Sequence, residues 1–407
     1  MKLTMLPKIP GSKSILQRIM VLAAHARADI RLENYNPCAD VVELESAMKT
    51  FGYHVEKKQD GMHFHFNENA HLASSHKYQF QESATAFRLW LSVLANLKGT
   101  KSYIAISDIL QKRGYTPLRN ALESMGAAFS PNENILTIDS SCLNGGKVDL
   151  RDSISSQFAS SLVLAAPYMQ NDLWLRRDQY QVSLPYLQLS LQMLKTFGAE
   201  IMEEGDYLRV LRGKYSLPRH FTVDSDISTA AFYAALGAVQ PEGVRMQLQI
   251  NPEYPQADMA IFPILTQMGA QVDWSGSVCN IKPGRMKAVD LDLRDCPDLM
   301  PILSILALFC DGKTVLRGIA RLKHKESDRV LGIARVLDLI GVAYVLNEDY
   351  LELYPIGNRE LPAVQLDTQN DHRLVMAFSL LRKRYVQISL KETASLAKSI
   401  PGAELDK

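Results

Sequence analysis

The chain has 407 residues, of which 47% are hydrophobic and 22% are charged, and its formal net charge is +1. This length and composition are typical of a globular chain with two domains, and the near-neutral charge argues against a nucleic-acid partner. The five cysteines are scattered without a Cys-x-x-Cys pair, which argues against structural zinc and favours a reducing cytoplasm. The N-terminus lacks the apolar region of a signal peptide, and no apolar run approaches the ~20 residues of a membrane span. We therefore expect a cytoplasmic protein with no membrane partner.

Runs rich in Ala, Leu, Ser and Met recur along the chain, each after a polar start. They begin at Ser14, Thr85, Ser156, Thr229, Leu299 and His372. Successive starts are about 70 residues apart, and this regular spacing predicts six related units. Each run is apolar nearly all round, which predicts a buried helix rather than an amphipathic surface helix.

Cations lie at or near several of these predicted helix starts, namely Lys13, Arg18, Arg88 and Arg373. A helix start carries partial positive charge and ordinarily favours acids. The Ser and Thr residues at four of the starts could simply be N-caps. Cations that recur at these positions instead indicate sites for an anionic ligand, which would supply the missing negative charge.

A second repeated pattern lies between the buried helices, where an apolar residue and a glycine precede two alternating segments. It occurs at Phe51-Gly52, Met125-Gly126, Phe197-Gly198, Met268-Gly269 and Ile340-Gly341. The glycine suits the left-handed end of an outer helix, and the alternation predicts a hairpin. The last unit lacks this pattern, and we expect the strand around residues 2–9 to complete its sheet. This organisation predicts a continuous domain, 12–224, and a split domain, 1–11 with 225–407.

Six short motifs occur in an order and at intervals that match one known family. They are Pro10-Gly-Ser-Lys-Ser-Ile-Leu-Gln-Arg18, Ser155-Ser-Gln157, Val182-Ser-Leu-Pro-Tyr186, Pro297-Asp298, Lys325-Glu-Ser-Asp-Arg329 and Asn370-Asp-His-Arg373. Together they resemble the 5-enolpyruvylshikimate-3-phosphate synthase family of enolpyruvyl transferases over nearly the whole chain. The resemblance implies an α/β fold of six βαβαββ units, three per domain, with the buried helices facing an interdomain cleft.

The resemblance also implies a reaction of the shikimate pathway, which leads to chorismate and the aromatic amino acids. The enolpyruvyl group of phosphoenolpyruvate would pass to the 5-hydroxyl of shikimate 3-phosphate, releasing phosphate. The reaction requires no cofactor and no metal, and its partners are these two small molecules. We expect the enzyme to act as a monomer.

Site residues follow from the motifs by resemblance. The catalytic residues would be Lys13, Asp298 and Glu326. Lys13 would contact both substrates, Asp298 would be the base for the hydroxyl, and Glu326 would shuttle the C3 proton. Shikimate 3-phosphate would be held by Ser14, Arg18, Ser155, Ser156, Gln157, Ser183 and Arg321. Phosphoenolpyruvate would be held by Arg113, Arg329, Arg373 and Lys398, and Lys325 would also bind substrate. Guanidinium groups suit both carboxylate and phosphate because they can pair with either in a bidentate way.

Three departures from the family pattern lie near the phosphoenolpyruvate residues. Ala84 replaces a glycine usual in the family, where its methyl group would narrow the space into which glyphosate extends. Gly114 stands after Arg113, where proline is usual, and the tail around Lys398 lacks the usual aromatic residue and ends early.

Three other functions share parts of this pattern. A UDP-N-acetylglucosamine enolpyruvyl transferase has the same fold but uses a loop cysteine, and no cysteine lies between Cys38 and Cys142, the span with the matching loop. A nucleic-acid end-processing enzyme would need a more basic surface. A non-catalytic relative would be expected to lack Asp298 or Glu326.

His63 and His65 share one face of a predicted strand, but no third ligand is near in sequence, so we expect no metal site.

Overall fold

This computed structural model describes residues 3–6, 8–59, 61–67, 75–150, 155–176 and 183–399. The chain divides into two compact units. The continuous domain comprises Gly11–Val223 and Pro252–Pro255, and the split domain comprises Met1–Pro10, Asp224–Asn251 and Gln256–Lys407. Val182, which belongs to one of the six motifs, lies outside the described residues, as does the chain beyond 399.

The first three repeats form the continuous domain. β1 (Thr4–Met5) comes before the first repeat, which contains α1 (Lys13–Ala26), β2 (Ile30–Glu33), α2 (Ala39–Phe51), β3 (Tyr53–Lys58) and β4 (Gly61–Phe66). The second repeat contains β5 (Ser75–Phe80), α3 (Ala84–Ala95), β6 (Lys98–Ile106), α4 (Asp108–Arg113), α5 (Thr116–Ser124), β7 (Ala128–Asn132) and β8 (Ile135–Ser141). The third contains β9 (Gly146–Val148), α6 (Ser156–Ala165), a 3₁₀-helix (Ala166–Tyr168), β10 (Leu173–Arg176), α7 (Leu184–Thr196), β11 (Ile201–Glu204) and β12 (Tyr207–Val210).

The other three repeats belong to the split domain. β13 (His220–Thr222) comes before the fourth repeat, which contains α8 (Ile227–Val239), β14 (Val244–Gln247), a 3₁₀-helix (Ala257–Ala260), α9 (Ile261–Gln267), β15 (Gln271–Ser275) and β16 (Val278–Lys282). The fifth contains β17 (Asp290–Asp292), a 3₁₀-helix (Pro297–Leu299), α10 (Met300–Ala307), β18 (Thr314–Arg317), a 3₁₀-helix (Ala320–His324), α11 (Arg329–Leu339), β19 (Tyr344–Leu346) and β20 (Tyr350–Leu353). The sixth contains β21 (Val364–Asp367), α12 (His372–Arg384), β22 (Ile388–Lys391) and a 3₁₀-helix (Thr393–Lys398).

The second, third and fifth repeats share one sheet topology. In the second repeat the strand order is β5-β6-β8-β7, with β5 and β6 parallel and β8 antiparallel to both of its neighbours. The third and fifth repeats repeat this order as β9-β10-β12-β11 and β17-β18-β20-β19. The buried helix of each repeat connects the parallel pair, as a crossover between parallel strands requires, and the outer helix leads to the hairpin.

The first and fourth repeats exchange their leading strands. β1 directly precedes α1 in the chain, yet it pairs in parallel with β14, with Thr4 opposite Val244 and Met5 opposite Arg245. β13 precedes α8 but pairs in parallel with β2. The prediction that the N-terminal strand completes the last repeat is therefore wrong. The fourth repeat needs β1 because its own preceding strand is taken by the first repeat, and the described part of the sixth repeat has only the parallel pair β21 and β22.

One short segment also departs from the predicted domain limits. Pro252–Pro255 lies between two parts of the split domain but belongs to the continuous domain. Tyr254 in this segment is buried and packs against Phe221, with their ring centroids 6.0 Å apart. Burial of an aromatic side chain draws the segment out of the domain that flanks it in sequence.

The recurring apolar runs do form buried helices. Every residue from Ile15 to Ala24 of α1 is buried, and α3, α6, α8, α10 and α12 are buried to a similar extent. None of these six helices has an acidic residue in its first turn. α1, α3 and α6 pack on one another in the continuous domain, and α8, α10 and α12 do so in the split domain.

The helix ends follow the predicted chemistry with one correction. The five glycines after the outer helices all have positive φ, from 67° to 114°, at Gly52, Gly126, Gly198, Gly269 and Gly341. Ser14, Thr85, Ser156 and Thr229 are not the N-caps of the buried helices. In α3, α6 and α8 the capping side chains are those of Ser83, Ser155 and Asp226, which accept hydrogen bonds from backbone N–H groups of the first turn. The N-cap of α1 is Ser12, which makes no side-chain capping hydrogen bond.

No helix in the described part of the chain is long and apolar enough to cross a membrane. Within the same residues, no group of three or more His, Cys, Asp or Glu side chains could hold a metal ion. The ring centroids of His63 and His65 lie 6.0 Å apart, and His65 Nδ1 lies 3.1 Å from Asp29 Oδ2.

Candidate active site

Asp298 in the split domain is surrounded by three predicted site cations. Its Oδ1 lies 2.8 Å from Arg329 Nη1 and 3.2 Å from Lys325 Nζ, and its Oδ2 lies 3.5 Å from Arg373 Nη2. Asp298 lies in the 3₁₀-helix before α10, and the two arginines are the first residue of α11 and the second of α12. Two helix starts thus supply Arg329 and Arg373 to this carboxylate, and Lys325 reaches it from the segment just before α11.

This arrangement keeps Asp298 ionised. Burial by itself would raise the pKa of the carboxyl group, but Lys325, Arg373 and Arg329 outweigh burial and hold the pKa of Asp298 well below its ordinary value. Burial also lowers the pKa of Lys325, which the nearby Asp298 only partly offsets. The site is therefore a set of ion pairs in which Asp298 orients the three cations.

Arg329 is the centre of this network and is only 1% exposed. Its Nη2 donates to Glu326 Oε2 at 2.7 Å, and its Nε donates to Asp371 Oδ2 at 2.9 Å. Asp371 is fully buried, accepts a hydrogen bond from Ser327 Oγ at 3.0 Å, and caps α12 by accepting from the backbone N–H of Arg373 at 2.9 Å. One buried guanidinium therefore fixes both predicted catalytic carboxylates, because Asp298 and Glu326 share it.

Arg373 has further contacts besides the one with Asp298. Its Nη1 donates to the carbonyl of Ser228 at 3.3 Å, and its Nη2 lies 3.9 Å from Asp258 Oδ2. The Ser228 hydroxyl donates to the same carboxylate oxygen. Burial raises the pKa of Asp258 to about 6, although Arg373 lowers it. Asp258 and Asp298 thus share Nη2 of Arg373.

A small pocket that is open to solvent, with a volume of about 10 Å³, adjoins Asp298 and Arg373 within the split domain. Ser228 supplies another polar group to its wall, and the rest of the lining is apolar: Ala231, Phe232, Leu299, Ile302 and Met376. The two charged side chains therefore border a space of low polarity, where their interactions with a ligand would be stronger than in water.

Arg321 and Lys398 occupy the same domain but other elements. Arg321 lies in the 3₁₀-helix that follows β18 and donates to the carbonyl of Arg294. Lys398 is the last residue of the 3₁₀-helix that packs against α12, and it is buried. The hydroxyl oxygen Oγ of Ser399, the next residue, lies 3.3 Å from Nδ1 of His372.

The start of α1 carries three of the predicted residues in the continuous domain. Lys13 Nζ pairs with Asp40 Oδ2 at 2.6 Å, and Ser14 is half-buried. Arg18 is 1% exposed and donates to the backbone carbonyl of Ser14 and to the hydroxyl of Ser190, both at 2.8 Å. Burial lowers the pKa of Arg18 to about 10. Arg18 therefore holds the first turn of α1 in place from inside the domain.

Arg88 organises a second group of predicted residues around the start of α3. Its Nη1 donates to Gln157 Oε1 at 2.7 Å, and its Nη2 donates to the carbonyls of Arg113 at 2.6 Å and Gly114 at 2.7 Å. Gln157 Nε2 in turn donates to Thr85 Oγ1 at 2.8 Å. Arg88 therefore fixes both the side chain of Gln157 and the backbone that carries Arg113.

Two of the residues that depart from the family pattern, Ala84 and Gly114, lie at helix ends in the second repeat. Ala84 is the first residue of α3 and is 2% exposed. Gly114 ends α4 with φ +68° and ψ 153°, a conformation that proline cannot adopt because its ring fixes φ near −65°. The backbone after Arg113 thus takes a route that a proline would forbid.

The predicted serines lie at helix starts in the third repeat. Ser155 caps α6 by accepting from the backbone N–H of Gln157 at 3.3 Å, and Ser156 is the first residue of that helix. Ser183 precedes α7, is buried, and has φ 56° and ψ 42°. A left-handed serine is strained, and such strain is concentrated at functional positions.

Comparison with known proteins adds the decisive observation. A sequence model described as EPSP synthase (3-phosphoshikimate 1-carboxyvinyltransferase) matches residues 3–404. The chain belongs to this family. It is 29% identical over 408 residues to the 3-phosphoshikimate 1-carboxyvinyltransferase of Actinobacillus pleuropneumoniae serotype 3 (strain JL03), covering 97% of this chain and 93% of that protein. It is 31% identical over 409 residues to that of Sulfurovum sp. (strain NBC37-1), with the same coverage.

Solved structures of enolpyruvyl transferases share the fold. An EPSP synthase from Acinetobacter baumannii has a TM-score of 0.77 and 24% identity, covering 98% of this chain and 93% of that one. The enolpyruvyl transferase NikO from Streptomyces tendae has a TM-score of 0.75 and 16% identity, covering 98% and 92%. The predicted family, its enzyme class and the two-domain α/β fold are confirmed. The family match also favours EPSP synthase over the alternatives considered from sequence.

Several residues that build these sites were not among the predicted site residues. Arg88 and Asp371 had a sequence signal, since one is a cation near a buried-helix start and the other lies inside the Asn370–Arg373 motif. Three acids had no such signal, because each stands in the sequence without a recognisable pattern. In the folded chain Asp40 contacts Lys13 and Asp258 contacts Arg373. Glu43 contacts the backbone of residues 81–83, the turn before α3.

Proposed function

We propose that this EPSP synthase family member transfers the enolpyruvyl group of phosphoenolpyruvate to the 5-hydroxyl of shikimate 3-phosphate and releases phosphate. The observation that carries the proposal is the Asp298 cluster. Three cations and two carboxylates converge there, with Glu326 and Asp298 bound to the same guanidinium of Arg329. A reaction between two anionic substrates that needs both a base and a proton shuttle requires this combination of groups.

Phosphoenolpyruvate is bound in this proposal by Arg329, Arg373, Lys325 and Lys398 of the split domain and by Arg113 of the continuous domain. The burial of Arg329 and Arg373 supports this role, because charge-assisted hydrogen bonds to an anion are stronger where water is excluded. Asp371 and Asp258 hold the two arginines in their orientations before the ligand arrives. That order reduces the entropy lost on binding.

Shikimate 3-phosphate is bound by groups at the starts of α1 and α6 and before α7. The proposed ligands are Lys13, Ser14, Arg18, Ser155, Ser156, Gln157, Ser183 and Arg321, with Asp298 at the reacting hydroxyl. Hydroxyl groups at helix starts, next to backbone N–H donors, suit a phosphate group. Arg18 contributes through Ser14, since its guanidinium binds the backbone carbonyl of that residue.

Asp298 removes the proton from the 5-hydroxyl as that oxygen attacks C2 of phosphoenolpyruvate. Burial by itself would raise the pKa of Asp298, but Lys325, Arg373 and Arg329 stabilise its charge and hold the pKa well below its ordinary value. The phosphate and carboxylate of phosphoenolpyruvate compete for the same three cations. Binding of this substrate therefore weakens their hold on Asp298 and raises its basicity when the second substrate is present.

Glu326 enters this step protonated and delivers its proton to C3 of phosphoenolpyruvate, so that the new C2–O bond forms without a carbanion. The tetrahedral intermediate then returns a C3 proton to Glu326, the double bond forms again, and the C2–O bond to phosphate breaks. The departing phosphate takes up the hydroxyl proton that Asp298 had accepted. The salt bridge of 2.7 Å from Arg329 Nη2 fixes the position of the Glu326 carboxylate. Both proton steps use the same atom pair in opposite directions.

The test is an assay of phosphate released from phosphoenolpyruvate in the presence and absence of shikimate 3-phosphate. We expect release only with both substrates, and equimolar 5-enolpyruvylshikimate 3-phosphate by mass spectrometry. Release that is the same with UDP-N-acetylglucosamine, or no release with either acceptor, would contradict the proposal.

We further propose that the enzyme works as a cytoplasmic monomer. Light scattering of the purified protein would check its oligomeric state, and fractionation of its source cells would check its location.

A further inference from the structure

Glu43 on α2 binds the turn that leads into α3. Its carboxylate accepts hydrogen bonds from three successive backbone N–H groups: Oε1 from Glu82 at 3.0 Å, and Oε2 from Gln81 at 3.1 Å and Ser83 at 3.3 Å. Such a row of backbone N–H groups forms a concave anion site, and here an acid from the same chain occupies it. The contact joins the first repeat to the second.

The 81–83 turn is also connected to elements that carry proposed substrate ligands. Ser83 Oγ accepts from Gln17 Nε2 of α1 at 3.0 Å and caps α3. The carbonyl of Glu82 accepts from Arg113 Nη1 at 3.4 Å. The turn therefore contacts the guanidinium of Arg113, whose backbone carbonyl is bound separately by Arg88.

From these contacts we infer that Glu43 is a positioning residue for phosphoenolpyruvate binding, which acts through the 81–83 turn on the side chain of Arg113. The inference rests on the proposed function, in which Arg113 is a ligand of phosphoenolpyruvate. Without the Glu43 carboxylate, three backbone N–H groups lose their common acceptor and the turn loses the contact that fixes it to α2. The carbonyl of Glu82 then no longer holds one orientation of Arg113.

The sign of the expected effect separates positioning from simple charge. Removing an acid near an anion site would by itself strengthen binding of phosphoenolpyruvate, since like charges repel. Loss of positioning weakens it. A matched control is Glu45, which lies on the same helix, pairs with Lys49 at 2.7 Å and accepts from the Tyr35 hydroxyl at 2.7 Å. Glu45→Ala removes the same charge from α2, and neither of these contacts involves the turn.

The experiment measures kcat and both KM values in the native enzyme, Glu43→Ala, Glu43→Gln and Glu45→Ala. We expect Glu43→Ala to raise the KM for phosphoenolpyruvate about tenfold, with kcat and the KM for shikimate 3-phosphate within about twofold. Glu43→Gln keeps an acceptor oxygen and should give an intermediate value. Glu45→Ala should match the native enzyme.

A double-mutant cycle with Arg113→Ala tests the route. If Glu43 acts through Arg113, adding Glu43→Ala to Arg113→Ala should change the KM for phosphoenolpyruvate less than about twofold further. Full additivity would overturn the route, and an unchanged or lowered KM in Glu43→Ala would overturn the inference. If Glu43→Ala does not fold, an unchanged KM in Glu43→Gln overturns it instead. No turnover in the native enzyme would count against the proposed function rather than against Glu43.

Discussion

Asp371→Asn removes one buried negative charge while keeping the size of the side chain and an oxygen to cap α12. The native carboxylate accepts from Arg329 Nε at 2.9 Å and from Nη2 at 3.3 Å, and both residues are 1% exposed or less. Removing one partner of a buried ion pair costs typically about 3–5 kcal/mol. Arg329 keeps its contacts with Asp298 and Glu326, so we expect a loss near the lower end, about 3 kcal/mol.

The loss of unfolding free energy in Asp371→Asn should be largest at neutral pH and smaller at acidic pH. Burial by itself would raise the pKa of Asp371, but Arg329 outweighs burial and the net pKa is lowered. A carboxyl group with a lowered folded-state pKa stabilises the fold above its unfolded-state pKa, about 3.9 for aspartate. This stabilisation is lost as the pH falls through the folded-state pKa. The difference between native protein and variant should be complete at neutral pH and shrink below about pH 4.

Urea unfolding followed by circular dichroism, together with scanning calorimetry, measures the free-energy difference. The matched control is Asp328→Asn, because Asp328 also caps a helix, accepting from the backbone N–H of Leu331 at 3.0 Å, but is not fully buried. We expect the control to lose less than about 0.5 kcal/mol. Equal losses in the two variants, or a loss at Asp371 that stays constant down to acidic pH, would refute the ion-pair explanation.

Three other predictions concern the reaction and its surroundings. Asp298→Ala and Glu326→Ala should each lower phosphate release at least ~100-fold with an unchanged circular dichroism spectrum, and near-normal turnover removes that residue from the mechanism. Gly114→Pro should lower the melting temperature and the affinity for phosphoenolpyruvate, since φ is +68° there; native-like values in both would contradict the described backbone. Ala84→Gly should tighten glyphosate inhibition roughly ten- to a hundredfold, and an unchanged inhibition constant would show that the methyl group is not the obstacle.

Much of the fold was predictable because it depends on local patterns. The buried helices can be recognised from runs that are apolar all round. The left-handed glycines can be recognised because each follows an outer helix. The strand exchange was not predictable in this way. β1 is two residues long, and nothing in Thr4 or Met5 distinguishes β14 as a partner from β22. Pairing between distant strands depends on which edges remain free after each repeat has folded.

The candidate site shows the same division between local and long-range information. Motifs predicted Asp298, Lys325, Arg329 and Arg373, and the structure brings these four side chains into direct contact. The motifs did not predict Asp258, the acid that contacts Arg373. Asp258 reaches Arg373 from the fourth repeat, and such a contact leaves no spacing in the sequence that could reveal it.

The acids of this cluster explain how a cationic site can exist before its ligand is bound. Lys325, Arg329 and Arg373 would repel one another if they were left unpaired in a buried site, and each is instead held by Asp298, Asp371, Glu326 or Asp258. Buried ion pairs contribute little net stability, because desolvation offsets most of the attraction. Their value in the proposed function lies in orientation, since the acids fix the cations proposed to bind phosphoenolpyruvate. In that proposal the substrate competes with Asp298 for the same cations. The competition would make the Asp298 carboxylate more basic, so the contact that orders these cations is also the one whose weakening would prepare the reaction.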